Sequence, residues 1–291
     1  EYKSKPVKEI GNSAFSDCDV LENLVISDGI IRIGDSAFLG CTALESVTIP
    51  DSLTNIGHNA FENCHKLESV YINDISRWCE IVFNDNFSNP LCNGANLYLD
   101  GELVTDVELP KSVTSIKDYA FCGCDSLESI TVPDSVMSIG EHAFEGCISL
   151  TGIAIPDGIT SISKYAFSGC FSLKNAVIPD SVTSIDECAF FNCSLLKSIA
   201  LPDGLTSLGV GAFWGCDALV GVVIPNGVTS ISDNAFSNCK SLESVEIPDG
   251  VTSIGNEAFG WCTSLESIEI PGSVTSIGNR AFVECDSLAS I

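Results

Sequence analysis

Residues 126–147 read Ser-Leu-Glu-Ser-Ile-Thr-Val-Pro-Asp-Ser-Val-Met-Ser-Ile-Gly-Glu-His-Ala-Phe-Glu-Gly-Cys, and one variable residue later the same pattern starts again. Leu127, Ile130 and Val132 are apolar positions facing inward, and the alternation across Ile130-Thr131-Val132 is that of a short strand. Pro133 ends the strand because it cannot donate to a ladder, and Pro-Asp-Ser or Pro-Asp-Gly supplies the turn that follows. Nine of the eleven prolines fall in this column, so one stop signal is reused along the chain. Val136 and Ile139 drive a second short extended segment into the core. Ala143, Phe144 and Cys147 predict an apolar helical or 3₁₀ turn on the opposite wall, where Gly146 permits close approach.

The last part of this unit, Ala-Phe-x-x-Cys, occurs eleven times. Its phenylalanines are Phe15, Phe38 and Phe61, then Phe121, Phe144, Phe167, Phe190, Phe213, Phe236, Phe259 and Phe282, spaced by 23 residues except across one gap. A fixed period of this kind marks a solenoid, in which a unit buries its apolar face only by stacking on its neighbours. Strand-paired coils repeat at about 4.8 Å, so eleven or twelve of them predict a rod or arc on the order of 55 Å long. The expected fold is a coil stack with short parallel strands on one face and short helical or 3₁₀ turns on the other.

The full register, Leu-x-x-Ile-x-Ile-Pro-Asp-Ser-Val-Thr-Ser-Ile-Gly-x-x-Ala-Phe-x-x-Cys, is matched over residues 44–70 and 107–291. It resembles the BspA-like leucine-rich repeats, a bacterial surface-protein family also expanded in some protozoan parasites. The resemblance implies a right-handed leucine-rich-repeat solenoid. It also implies a secreted or wall-attached protein that binds host extracellular proteins, of which fibronectin and fibrinogen are associated with the family. Ligand choice is not carried by the register residues, so none is transferred residue by residue.

The chain reads as a single solenoid over residues 1–291, with N-terminal repeats at 1–72, an inserted elaboration at 73–106 and C-terminal repeats at 107–291. It starts and stops within a repeat, which reads as an excerpt from a longer array whose export signal and anchor lie outside it. No apolar run approaches the roughly 18 residues needed to cross a bilayer. Net charge is −26, from 39 acidic and 13 basic residues, which repels nucleic acid and anionic membrane surfaces.

The insert accounts for the spacing of 60 between Phe61 and Phe121. Ile75, Trp78, Cys79, Val82 and Phe83 carry a helical period behind an Asp or Ser cap. Asn96-Leu97-Tyr98-Leu99 and Glu102-Leu103-Val104 flank Asp100-Gly101, a two-residue hairpin signal. Trp78 and Phe83 either bury over the stack or belong to a projecting helix and hairpin that contribute to a binding site. The insert's Trp-Cys, Ser-Asn-Pro-Leu and Leu-Tyr-Leu-x-Gly-Glu-Leu elements resemble one that recurs in the same family, Cys92 standing where an aromatic is expected.

Eleven of the fifteen cysteines lie in the repeat column, where regular burial beside Phe makes them small core residues and free thiols. Outside it stand Cys79, Cys92, Cys122 and Cys188; a Cys79–Cys92 bridge within the insert is one option, and Cys122 and Cys188 are too many coils apart to meet. Cys122-x-Cys124 has the wrong spacing for zinc. His58, His65 and His142 occupy different repeat positions and read as solvated turn histidines. The turn aspartates Asp134, Asp157, Asp180 and Asp203 form an acidic ladder that needs no calcium. Carboxylates spread along a rod do not converge as acid–base work requires, so no catalytic residue, metal ligand or cofactor is assigned and an enzyme is not expected.

Function is therefore sought at variable, outward positions. On the strand face, Ala154, Val177, Ala200 and Val223 form an apolar centre flanked by acidic positions. On the other wall, Phe171, Phe191 and Trp214 lie at variable positions of successive coils with Trp261 further on, and are expected to be solvent-facing and adjacent. Exposed clustered aromatics favour binding sites; the same residues could instead cover gaps between turns or pack on a neighbouring domain. The leading reading is a monomeric, extracellular, adhesin-type module that binds a matrix or host surface protein. A structural spacer and a carbohydrate-binding surface remain as alternatives.

Overall fold

The computed structural model describes residues 6–291. Coils are stacked in parallel with a one-unit register: Ser46–Thr48 pairs with Ser69–Ile72, Asp106–Glu108 with Ser129–Thr131, and Ser161–Ile162 with Ser184–Ile185. A leucine-rich-repeat solenoid results, with one apolar core running from Ile26 to Ala281. Leu127, Val136, Ala143, Phe144 and Cys147 have no exposed surface, and Ile130, Val132 and Ile139 very little. The Pro-Asp-Ser-Val-Thr stretch is tied vertically. The Ser135 and Ser181 hydroxyls donate to the carbonyls of Val113 and Ile159 one coil back, at 2.8 and 2.7 Å.

The wall opposite the strands refines the expectation of helical or 3₁₀ turns. Only the insert coil has 3₁₀ helices there, Asn86–Ser88 and Pro90–Asn93. In the 23-residue coils each turn is closed by i+3→i bonds, such as Cys147 N–H to Phe144 O at 3.2 Å, without extending into a helix. Two residues per coil stop it, the ones two before and two after the phenylalanine, both left-handed: in the Phe144 coil, His142 (φ 57°) and Gly146 (φ 71°). The alternation aims every second N–H at the next coil. His142, Phe144 and Gly146 donate to the carbonyls of Lys164, Ala166 and Ser168 at 3.0, 2.9 and 2.7 Å, and the same triplet recurs along the stack. Non-glycine residues in this region cost on the order of 1 kcal/mol each, an expense offset by the three N–H bonds each such turn makes to the next coil.

Inside that wall the phenylalanine rings form two columns of parallel rings. Phe15, Phe38 and Phe61 stack at 5.4 Å, and Phe121 through Phe282 at 5.3–5.5 Å. Beside them the column thiols act as donors. Cys147, Cys170, Cys193 and Cys216 each turn Sγ toward the carbonyl of the phenylalanine one coil back, at 3.1–3.3 Å. Burial pushes the donating column thiols up, Cys64 and Cys262 to about 12 from an ordinary 9.0, which keeps the donating proton in place.

The insert is itself a coil of the stack. Val82–Phe83 pairs with Asn55–Ile56, and Asn96–Leu99 with Ser69–Ile72. Its extra residues are absorbed by a helix, Ile75–Glu80, capped by Asp74, and by a hairpin to Glu102–Leu103. Asp100 and Gly101 both have positive φ, as a type I′ turn requires. Trp78 and Phe83 are buried against each other with centroids 5.3 Å apart, so this part of the insert packs rather than projects, while Glu102 and Leu103 are exposed.

This coil has Phe87-Ser88 where others have Ala-Phe: Phe61 N–H donates to Phe87 O, and Ser88 and Asn89 are fully buried. Side chains restore the missing ladder. The Asp85 carboxylate accepts from Asn59 N–H, and Asn93 Nδ2 replaces a column thiol at the Phe61 carbonyl at 3.0 Å. Trp78 Nε1 donates to Ala120 O at 2.7 Å and Asn89 Nδ2 to Tyr119 O at 2.6 Å. Asn89 Nδ2 also reaches Ala120 O at 3.3 Å, and a buried carbonyl left without any such donor would cost about 1–3 kcal/mol.

Candidate docking surfaces

On the strand face, the alternation that buries Ile153, Ala176, Ile199 and Val222 turns Ala154, Val177, Ala200 and Val223 outward. Val177 is 62% and Val223 58% exposed. Strands in this half hydrogen-bond in pairs: Gly152–Ala154 with Asn175–Val177, and Gly221–Val223 with Ser244–Glu246. The pairs are extended by Ile155 N–H to Val177 O and Ile224 N–H to Glu246 O, both at 3.0 Å, whereas the N–H groups of Ile178 and Leu201 make no such bond. The face opens there into a shallow cleft of about 380 Å³, lined by Ala200, Leu201, Val223 and Pro225 and edged by Asp203 and Glu246. It combines an apolar floor with an acidic rim, suited to an apolar side chain flanked by basic ones.

The aromatics on the other wall occupy three columns rather than one cluster. Phe171, four residues after Phe167, is 48% exposed. Phe191 and Trp214 each follow a core phenylalanine and meet edge-on at 5.3 Å; Phe191 is half-buried, because Trp214 of the next coil covers it. Trp261 lies two residues after Phe259 at φ 59°, half-buried beneath the Arg280 guanidinium at 5.3 Å. The expectation of adjacent, solvent-facing rings is thus corrected for Phe191 and Trp261, while Trp214 keeps an exposed edge.

Of the three histidines only His142 departs from the solvated state expected. His142 is sandwiched between Tyr119 and Tyr165, at centroid distances of 4.7 and 4.8 Å, and its Nδ1 lies 2.6 Å from Glu145 Oε2. All three rings occupy the left-handed position two before the phenylalanine, and that shared column was the signal available in the sequence. His58 Nδ1 meets Asp85 Oδ2 at 3.1 Å, and His65 is exposed. Next to this stack the Lys164 ammonium bonds Glu187 at 2.7 Å and holds its carboxyl below the usual range. Asp134, Asp157, Asp180 and Asp203 are exposed. Among the described residues no group of three His, Cys, Asp or Glu side chains converges as a metal site would need.

Cys92 is the residue whose placement the sequence hid. Its Sγ lies 2.8 Å from Cys122 Sγ, not against Cys79, and its thiol is raised well above the ordinary value by that contact and by burial.

The profile of the BspA type leucine rich repeat region matches residues 5–90, 94–220 and 211–291. Among solved structures, a leucine rich cell surface protein from Faecalibacterium prausnitzii is 33% identical, with a TM-score of 0.61 over 98% of this chain and 83% of its own. A leucine-rich repeat protein from Bacteroides ovatus is 27% identical, with a TM-score of 0.59 over 99% of this chain and 83% of its own. One from Eubacterium ventriosum, at 23% identity and a TM-score of 0.55 over 94% and 85%, shares the fold. No curated protein matches the chain. Leucine-rich surface proteins of this kind suggest a protein-interaction or cell-surface role. Among the described residues no helix is long and apolar enough to cross a membrane.

Proposed function

We propose that this chain, which belongs to the BspA-type leucine-rich repeat family, is a non-catalytic, adhesin-type module. It acts outside the cell, at the surface or secreted, and binds a matrix or host surface protein through its strand face. The observation that carries this reading is the outward strip of Ala154, Val177, Ala200 and Val223. On an acidic chain, four consecutive apolar residues in a solvent-facing column are what a docking surface needs and a mere spacer does not. The cleft at Ala200 and Val223, with Asp203 and Glu246 on its rim, favours an extended ligand segment carrying an apolar anchor beside Lys or Arg.

Matrix and host surface proteins are screened against the parent and a Val177→Lys/Val223→Lys variant by biolayer interferometry. Binding weakened tenfold or more in the variant, roughly 1.4 kcal/mol or above, with an unchanged circular dichroism spectrum, is the expected result. Equal affinity of parent and variant would remove the strand face. A Phe191→Ser/Trp214→Ser variant tests the opposite wall in the same assay. Indifference of every ligand to both variants would leave the spacer reading.

A further inference from the structure

We propose that Cys92 and Cys122 form a reversible disulfide that clamps the insert onto the following coil. Their sulfurs are 2.8 Å apart, well inside ordinary thiol contact and a small movement from the ~2.05 Å bond. The backbones are held together independently of those side chains. A Cβ built on Gly123 would lie 3.1 Å from Cys92 Cα and 2.8 Å from Leu91 O, so the turn Pro90–Asn93 sits directly on the residue after Cys122. Gly123 is left-handed (φ 71°), and the absence of a side chain there is what admits the approach.

Nine column thiols are engaged elsewhere, each directed at a phenylalanine carbonyl of the preceding coil. Cys92 and Cys122 are directed at one another, and Cys92 is half-buried where Cys122 is 6% exposed. Cys92 is therefore the entry point. Its thiolate, formed by loss of the proton to solvent, attacks a small-molecule disulfide such as oxidised glutathione and releases one thiolate. The Cys122 thiolate then attacks the Cys92 sulfur of the mixed disulfide and expels the second. Two protein thiols are oxidised, one external disulfide is reduced to two thiols, and a dithiol reductant reverses the exchange.

The location gives the bond a purpose. At this junction the backbone ladder of the turn wall is interrupted, and the Trp78, Asn89 and Cys92 side chains bridge it. A covalent link at this seam would restore what the insert took away.

The parent, Cys92→Ser and Cys122→Ser proteins are incubated with excess oxidised glutathione, alkylated, and mapped by non-reducing peptide mass spectrometry. The parent should lose two alkylatable thiols and yield a peptide pair joining Cys92 to Cys122, which dithiothreitol releases. Cys122→Ser should instead hold glutathione at Cys92, and Cys92→Ser should keep the Cys122 thiol alkylatable. A parent that retains both thiols, keeps glutathione on Cys92, or links either cysteine to a third would overturn the proposal.

Discussion

Truncating one ring in the middle of the phenylalanine column should cost far more than truncating the last. Phe190 has no exposed surface and stacks on Phe167 and Phe213, each at 5.4 Å. Phe282 is half-buried and stacks on Phe259 alone, at 5.5 Å. Phe→Ala in a core costs about 3–5 kcal/mol, and two ring pairs at about 0.5–1.5 kcal/mol each fall within that sum. Phe190→Ala should sit in this range and Phe282→Ala at about half or less, having one partner and partial exposure. Because coils interact with nearest neighbours, the loss should stay local. Hydrogen exchange is the assay of choice, since arrays do not always unfold in one step. In Phe190→Ala, amides of the Phe167, Phe190 and Phe213 coils should open roughly 10²–10⁴ times more often, while those of the Phe38 coil keep the parent rate. Equal costs at Phe190 and Phe282, or uniform exchange along the chain, would refute the column as the source of stability.

Three further outcomes follow from the geometry. Trp78→Phe removes the shorter of two donors to Ala120 O, the longer being Asn89 Nδ2, and should cost about 1 kcal/mol in urea denaturation, with the exchange gain centred on the insert and the Phe121 coil. The column thiols have folded pKa values raised by burial, Cys64 and Cys124 to about 12 against an ordinary 9.0. Their contribution is therefore complete below pH 9 and is lost as pH climbs toward 12; thermal midpoints should fall across that window, and less steeply in Cys124→Ala. Gly209→Ala would drive a Cβ into the backbone of Asp186 and Glu187 and should destabilise by about 1–3 kcal/mol, whereas Gly272→Ala meets open space and should be neutral or slightly stabilising by calorimetry.

Most of the fold was legible because the register assigns each residue a column. Pro133, Ile130, Phe144 and Cys147 could be placed by counting in steps of 23. Two things resisted that arithmetic. The first was backbone conformation: Tyr119, Tyr165 and Cys188 are poor candidates for left-handed geometry, and the stack imposes it on them through interlocking N–H groups. The second was the insert, whose residues have no column to count from. Cys92 could be weighed only against Cys79, its neighbour in sequence, and the vertical approach to Cys122 across Gly123 was out of view. The docking surfaces divide along the same line. Outward strand positions follow from alternation, so the exposure of Val177 and Val223 could be read. Phe191 and Trp261 could not be read, because their cover comes from Trp214 and Arg280 one coil onward.

Away from the insert, the turn wall sends three N–H groups of each coil to the carbonyls of its successor, always in the same direction along the chain. Excision or duplication of one whole 23-residue window rejoins donors to acceptors of the same kind, whereas removal of a single residue misaligns both walls of every coil it touches. The length of such a molecule is in effect quantised. Genetic drift in its size should advance by unequal crossing-over between near-identical units, with single-codon slips confined to places, like the hairpin tip at Asp100 and Gly101, where no vertical bond depends on the count.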